Sequence, residues 1–223
     1  MEGLIIVNKP EGMTSFDVVK YIRRKLKIKK VGHSGTLDPL ATGILVILLG
    51  RYTKLFSQFS SFDKAYDATL ELGVNTTTGD SQGQVINKND HFSSITKQKV
   101  EEIFKEFTGE INQIPPMFSA LKYHGKKLYE LARKGIDVPR QARKVKLYDL
   151  KIRNFYLPYI DFYVLCSKGT YVRSLVQDIG ERLGCGACIT RIARTELGPF
   201  KLEDAANLET VDESCIRTWK HTV

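Results

Sequence analysis

From Gly32 to Leu45 the chain reads Gly-His-Ser-Gly-Thr-Leu-Asp-Pro-Leu-Ala-Thr-Gly-Ile-Leu, three glycines and one proline in fourteen residues. Neither a helix nor a strand continues through such a run. Glycine opens backbone angles closed to other residues, and Pro39 drives Asp38 into an extended conformation. The run predicts a tight, structured loop that aims one carboxylate in a fixed direction beside His33, followed by an apolar stretch over 44–49. Fixed aim is what a carboxylate nucleophile or general base requires. Asp-Pro also starts ordinary turns, so the residues alone leave a catalytic and a structural reading open.

The chain has 223 residues, enough to bury a sizeable core. Its 34 Lys and Arg against 25 Asp and Glu give a formal charge of +9, which favours a polyanionic partner, nucleic acid or an acidic membrane surface. No stretch approaches the roughly 20 apolar residues of a membrane span, and the N-terminus lacks the basic and apolar regions of a secretion signal. Four cysteines do not make a disulfide framework, so a cytoplasmic setting is expected.

Around the central run the pattern predicts a strand over 3–7 and a helix over 15–26, capped by Ser15, with Phe16, Val19, Ile22 and Leu26 on its buried face. The other face carries Arg23, Arg24, Lys25, Lys27, Lys29 and Lys30 and leads into the loop, a placement suited to phosphate contact. Further strands are expected over 44–49, 64–72, 144–155, 159–167 and 187–197. Helices are expected over 52–59, 96–107, 127–133, 172–183 and 202–208, with Gly184 ending the fourth. Residues 75–83 read as a surface loop, and the tail from 209 as loosely held. Strands and helices do not alternate cleanly, which predicts an α+β fold with a mixed, mainly antiparallel central sheet flanked by helices. With no linker or repeat, one domain over 1–208 is expected, with a tail over 209–223. Residues 122–153 hold eleven Lys and Arg against three Asp and Glu, interleaved with Tyr123, His124, Tyr129 and Tyr148, a mixture suited to RNA.

Cys185 and Cys188 have the gap of a zinc knuckle or redox pair, but no second pair exists and the four histidines are scattered. No metal site is expected. No phosphate-loop or dinucleotide fingerprint is present, and no cofactor is implied.

The central run resembles the signature of the TruB family of tRNA pseudouridine synthases. The likeness continues through Val7-Asn8-Lys9-Pro10 with Gly12-Met13-Thr14-Ser15, through Lys64-Ala65-Tyr66, through 114–122 and 125–133, and through Cys166-Ser167-Lys168-Gly169-Thr170-Tyr171-Val172-Arg173. It covers roughly residues 3–204. The resemblance implies a pseudouridine synthase fold with a catalytic cleft and an RNA-gripping insertion over about 118–143. It implies isomerisation of a T-loop uridine in tRNA by Asp38 on a flipped-out nucleotide, with Arg173 pairing the aspartate and Tyr66 against the base. Lys9 and Tyr171 support the pocket, His33 meets the substrate, and Ile192 and Arg194 line the uracil site. The expected partner is the tRNA T-stem-loop, with no membrane and no obligatory protein partner, the chain acting as a monomer. Two departures stand out: the usual C-terminal PUA-type domain is not expected here, and Cys188 stands where histidine is common. A non-catalytic tRNA-binding or folding protein accounts for charge and aromatics, but not for a proline-held acid with a matching arginine. A hydrolase using Asp38 and His33 lacks a second carboxylate at suggestive spacing.

Overall fold

The computed structural model describes residues 1–219. Strand β1 (Gly3–Lys9) is apolar on both faces and leads into helix α1 (Ser15–Lys25). Thr14, not Ser15, caps α1: its side chain accepts from the Asp17 amide, and the Asp17 carboxylate accepts in return from the Thr14 amide. Val18, Val19, Ile22 and Leu26 are buried, while Phe16 is 53% exposed, against the spacing argument. Short strand β2 (Val31–His33) precedes the central loop, and β3 (Thr42–Leu49) follows it. One 3-10 segment, Gly50–Leu55, and helix α2 (Phe56–Ser60) share the span read as a single helix.

Strand β4 (Lys64–Leu72) is buried on both faces, and β5 (Val74–Thr76) pairs with the exposed β6 (Val85–Lys88). Helix α3 (Lys97–Phe107) is capped by Thr96 and followed by β7 (Gly109–Gln113), which the sequence reading missed. The hairpin β8 (Lys122–Tyr123) and β9 (Lys126–Lys127) turns at His124 and Gly125, both at positive φ, before α4 (Leu128–Ala132). Long strands β10 (Arg143–Tyr156) and β11 (Tyr159–Cys166) form an antiparallel pair. Helix α5 (Val172–Arg182) then runs to Gly184, whose φ of 77° lets the chain leave the helix. Strand β12 (Ala187–Leu197), β13 (Phe200–Lys201) and β14 (Ala206–Asn207) close the fold. Where a helix over 202–208 was expected there is one 3-10 turn, Leu202–Asp204, and then β14.

Chain contacts divide the molecule into two compact units, 1–66 with 192–219, and 67–191. In the first, the strand order is β14-β1-β3-β12, with β2 on β3 and β13 on β12. β1 runs antiparallel to β3 and parallel to β14, and β3 runs parallel to β12, so the sheet is mixed. Leu4, Ile6, Ile44, Val46, Leu48, Phe59, Leu197 and Phe200 form its core. The tail is not loosely held: Leu4 and Arg217 exchange backbone hydrogen bonds of 2.9 and 2.8 Å, Val211 is buried, and Trp219 packs on Phe59 and Phe200.

In the second unit the order is β12-β4-β11-β10-β7. On β11 the alternation is clean: Ile160, Phe162, Val164 and Cys166 are buried and the residues between them are partly exposed. Phe104 of α3 meets Phe162 edge-on at 6.0 Å, placing the helix on that apolar face. The mixed α+β architecture matches the expectation.

Candidate active site

In the first unit, residues 34–41 connect β2 to β3, and every segment around them ties the loop down. Its amide at Ser34 donates to the Val46 carbonyl at 2.9 Å, ending the β2–β3 ladder. Leu37 donates its amide to the Ser15 hydroxyl at 2.8 Å, and that hydroxyl donates to the Leu37 carbonyl at 3.3 Å. The Ala41 amide closes a turn onto the Asp38 carbonyl at 3.0 Å, and Gly12 donates to Pro39 at 2.8 Å. Leu37, Leu40 and Ala41 are buried, while Asp38 is half-buried. Apolar side chains anchor the loop on either side of the acid. This is how a short loop holds a carboxylate in one orientation.

Lys9 is wholly buried at the end of β1. Its ammonium donates to the carbonyls of Pro10 (2.8 Å), Met13 (2.6 Å) and Pro39 (3.4 Å), stitching the β1–α1 turn to the central loop. Burial lowers its pKa to about 8, against the pull of the Asp38 charge and with the push of Arg194. His33 is also driven below its ordinary value, first by burial and then by Arg194, with Gly35 acting the other way. Burial and Arg194 thus favour the neutral imidazole. Arg194, only 2% exposed, donates Nε to the Ile44 carbonyl at 2.8 Å.

Arg194 stands opposite Gly43 in the parallel β3–β12 register. A Cβ at position 43 would lie 2.2 Å from the Arg194 carbonyl oxygen, and φ there is +96°, so only glycine fits. Ile192 and Tyr66 are buried in the same unit. The Ile192 carbonyl accepts from the Thr42 hydroxyl at 3.4 Å, a second link between β12 and the loop's exit. Lys9, His33, Asp38 and Arg194 thus form one electrostatically coupled group. Two buried atoms in it, His33 Nδ1 and Arg194 Nη2, have no hydrogen-bond partner among the described residues.

Tyr171 and Arg173 belong to the second unit. The half-buried Tyr171 stands at the cap position of α5, where the Gln113 side chain substitutes for a capping residue: Gln113 accepts from the Tyr171 amide at 2.7 Å and donates to its carbonyl at 3.0 Å. Arg173, 6% exposed, donates to the carbonyls of Thr78 (2.7 Å) and Phe118 (2.8 Å) and lies 3.8 Å from the Asp80 carboxylate. Asp80 is itself held by the Thr78 hydroxyl at 2.6 Å and the Gln82 amide at 3.1 Å. Residues 75–83 are therefore not a plain surface loop, since Thr76 and Asp80 are buried. Sequence reasoning missed Asp80 and Gln113. Asp80 sits among Thr, Gly and Ser, a context that reads as a turn, and only the partner guanidinium distinguishes it.

The basic segment is a small built unit. Leu128 and Leu131 are buried, Leu128 donates its amide to Leu121 at 2.8 Å, and Tyr129 donates its own to Ser119 at 3.1 Å. Lys127 and Arg133 each lie 5.4 Å from the centre of the Tyr129 ring. Cys185 and Cys188 are buried, and burial raises both thiols, Cys188 to about 11, which leaves them as packing groups.

Comparison with known proteins shows the family. The model of the TruB family pseudouridylate synthase N-terminal domain matches residues 23–172, and that of the tRNA pseudouridylate synthase B C-terminal domain matches 173–222. The chain is 48% identical over 216 residues to tRNA pseudouridine synthase B of Clostridium kluyveri, covering 97% of this chain and 74% of the relative. It is 48% identical over 217 residues to the protein of the same name from Clostridium tetani, with 97% and 75% covered. A chain from the crystal structure of a Cbf5-Nop10-Gar1 complex superposes with a TM-score of 0.73 at 32% identity, covering 93% of this chain and 52% of that one. This chain thus spans about half the length of that structural relative. By these matches the chain belongs to the TruB family of pseudouridylate synthases.

Proposed function

We propose that this protein converts uridine to pseudouridine in the T-loop of tRNA, with Asp38 as the catalytic residue. The reaction breaks the N1–C1′ glycosidic bond, turns the uracil, and joins C5 to C1′; C5 loses a proton and N1 ends protonated. It needs no oxidant, reductant or metal. A target uridine inside a folded loop must leave the stack, at a cost of a few kcal/mol, and the detached base must be kept from water.

The observation that carries this reading is the tethering of residues 34–41 from both sides of Asp38, by Ser15 at Leu37 and by Gly12 and Lys9 at Pro39. Such anchoring keeps a carboxylate within the narrow tolerance that attack or proton abstraction demands. The unpartnered His33 Nδ1 and Arg194 Nη2 are the groups a uracil carbonyl, imide or neighbouring phosphate would satisfy. Tyr66 stacks on the extruded base and lies near C5, Ile192 supplies an apolar wall, and Lys9 holds the surrounding backbone; Tyr171 is assigned to substrate binding by the family resemblance. Arg173 is assigned to catalysis by the family resemblance, and the basic insertion grips the RNA. The names borne by the relatives support tRNA as substrate.

The test is incubation with unmodified tRNA labelled with tritium at uridine C5, followed by mapping of pseudouridine. Tritium release confined to the T-loop uridine is expected. In Asp38→Asn release should fall by at least a thousandfold with tRNA affinity kept. Wild-type turnover in that variant, or product at other positions alone, overturns the assignment. Arg173→Lys should lower turnover at unchanged tRNA affinity; loss of binding alone would show that it serves only the scaffold.

A further inference from the structure

Residues 23–30 read Arg-Arg-Lys-Leu-Lys-Ile-Lys-Lys, six cations and no acid. Leu26 and Ile28 are buried and all six cations are exposed. Two have structural partners: Arg23 Nη2 donates to the Val31 carbonyl at 3.5 Å, and the Lys25 ammonium donates to the Glu209 carbonyl. The side chains of Arg24, Lys27, Lys29 and Lys30 make no hydrogen bond, ion pair or ring contact with the described residues. Other helix cations do: Lys20 pairs with Asp17, Lys97 with Glu101, Lys99 with Glu102 and Arg182 with Glu106.

The helix dipole accounts for a cation in the last turn of α1, hence for Arg24, but not for the three lysines beyond it. Lys27 is also held at a φ of +54°, a conformation that disfavours any residue carrying a Cβ. At the end of α5 the chain uses Gly184 for the same turn. Lys27 is exposed, so no packing of its side chain offsets the strain. A lysine stands where glycine would fold better.

We infer that Arg24, Lys27, Lys29 and Lys30 form a docking surface for the phosphate backbone of an RNA stem leading away from the nucleotide at Asp38. This rests on the function proposed above and adds a contact outside the basic insertion. The two ends of α1 supply the geometry. Ser15, at its start, is bonded to Leu37 beside Asp38. Ten residues on, a rise of about 15 Å brings the chain to the cations. Strand β2 then returns directly from Lys30 to His33 and the loop. A stem presents a phosphate every few ångström along each strand, so several fall over this span. Mobile, unpaired ammonium groups suit contacts that carry no sequence information.

The test uses the full chain and unmodified tRNA. Dissociation constants are measured over a range of salt for wild type, for Lys27→Gly, and for a triple variant combining Lys27→Gln, Lys29→Gln and Lys30→Gln. The triple variant should lose at least tenfold in affinity at low salt, and its slope of log affinity against log salt should shrink by about 2 to 3. Its turnover at saturating tRNA and its unfolding temperature should match wild type. Lys27→Gly should bind tRNA more weakly yet unfold at a higher temperature, a pair of opposite signs that a purely structural residue does not give. Neutralising Lys97, Lys99 and Lys105 on α3 should leave the slope unchanged. Wild-type affinity and slope in the triple variant overturn the surface. So does patch-dependent binding to phosphatidylserine vesicles with tRNA binding intact. A wild-type protein that binds tRNA through the patch but forms no pseudouridine removes the proposed activity and leaves the surface standing.

Discussion

Ser15 stands at the position a sequence reader assigns to a helix cap, yet Thr14 does that work and frees Ser15 for the central loop. Its hydroxyl satisfies both backbone groups of Leu37, and all three are buried. Ser15→Ala should therefore cost about 1–3 kcal/mol in denaturant unfolding, the penalty of a buried backbone group left without a partner. Because Leu37 adjoins Asp38, turnover should fall at least tenfold while tRNA affinity is kept; unchanged turnover would show that the loop holds its shape unaided. Residue chemistry made the tight loop around Asp38 legible beforehand, since Pro39 and the flanking glycines act locally. Asp80 was not legible, because what distinguishes it is a guanidinium 93 positions later in the chain. Gly43 belongs with Asp80: its necessity comes from the Arg194 backbone, which no local pattern announces.

Helix α5 offers a test of burial against charge. Desolvation, with Glu181 adding to it, raises the Asp178 carboxyl to about 6 from an ordinary 3.8. The folded state then binds this proton more tightly than the unfolded chain does. The group costs nothing below about pH 4, and its full penalty is present once the pH rises above about 6. Asp178→Asn should accordingly gain on the order of 2 kcal/mol at pH 7 and nothing at pH 3.5, read from urea unfolding at both values. An equal gain at both would assign the effect to packing.

The tail is a second element with a definite expectation. Trp219 lies 5.3 Å from Phe59 and 5.3 Å from Phe200 between ring centres, and 6.1 Å from Phe62. Trp219→Ala should lose about 2 kcal/mol, less than a fully buried aromatic because the ring is partly exposed. A loss below about 0.5 kcal/mol would mark the tail as unattached. The long strands and helices were readable from spacing. The tail was not, for its two anchors, Val211 and Trp219, are isolated in a polar stretch and acquire meaning only against their partners. β14 escaped for a related reason: two residues are too few for an alternation to show.

For the whole molecule the dominant quantity is the formal charge of +9. An enzyme that holds a polyanion through exposed cations releases counterions on binding, so raising monovalent salt from about 50 to 200 mM should lower tRNA affinity at least tenfold. Affinity that stays flat over that range would assign recognition to apolar and base contacts instead. The unit that carries Asp38 is drawn from both ends of the chain, 1–66 and 192–219. β1 pairs on one side with β14, and Leu4 with Arg217, while the exit of the central loop is packed against Arg194. A chain emerging from the ribosome therefore carries Asp38 early but waits for residues 192–219 before the surrounding scaffold closes. Until β14 has joined, β1 travels with an open edge.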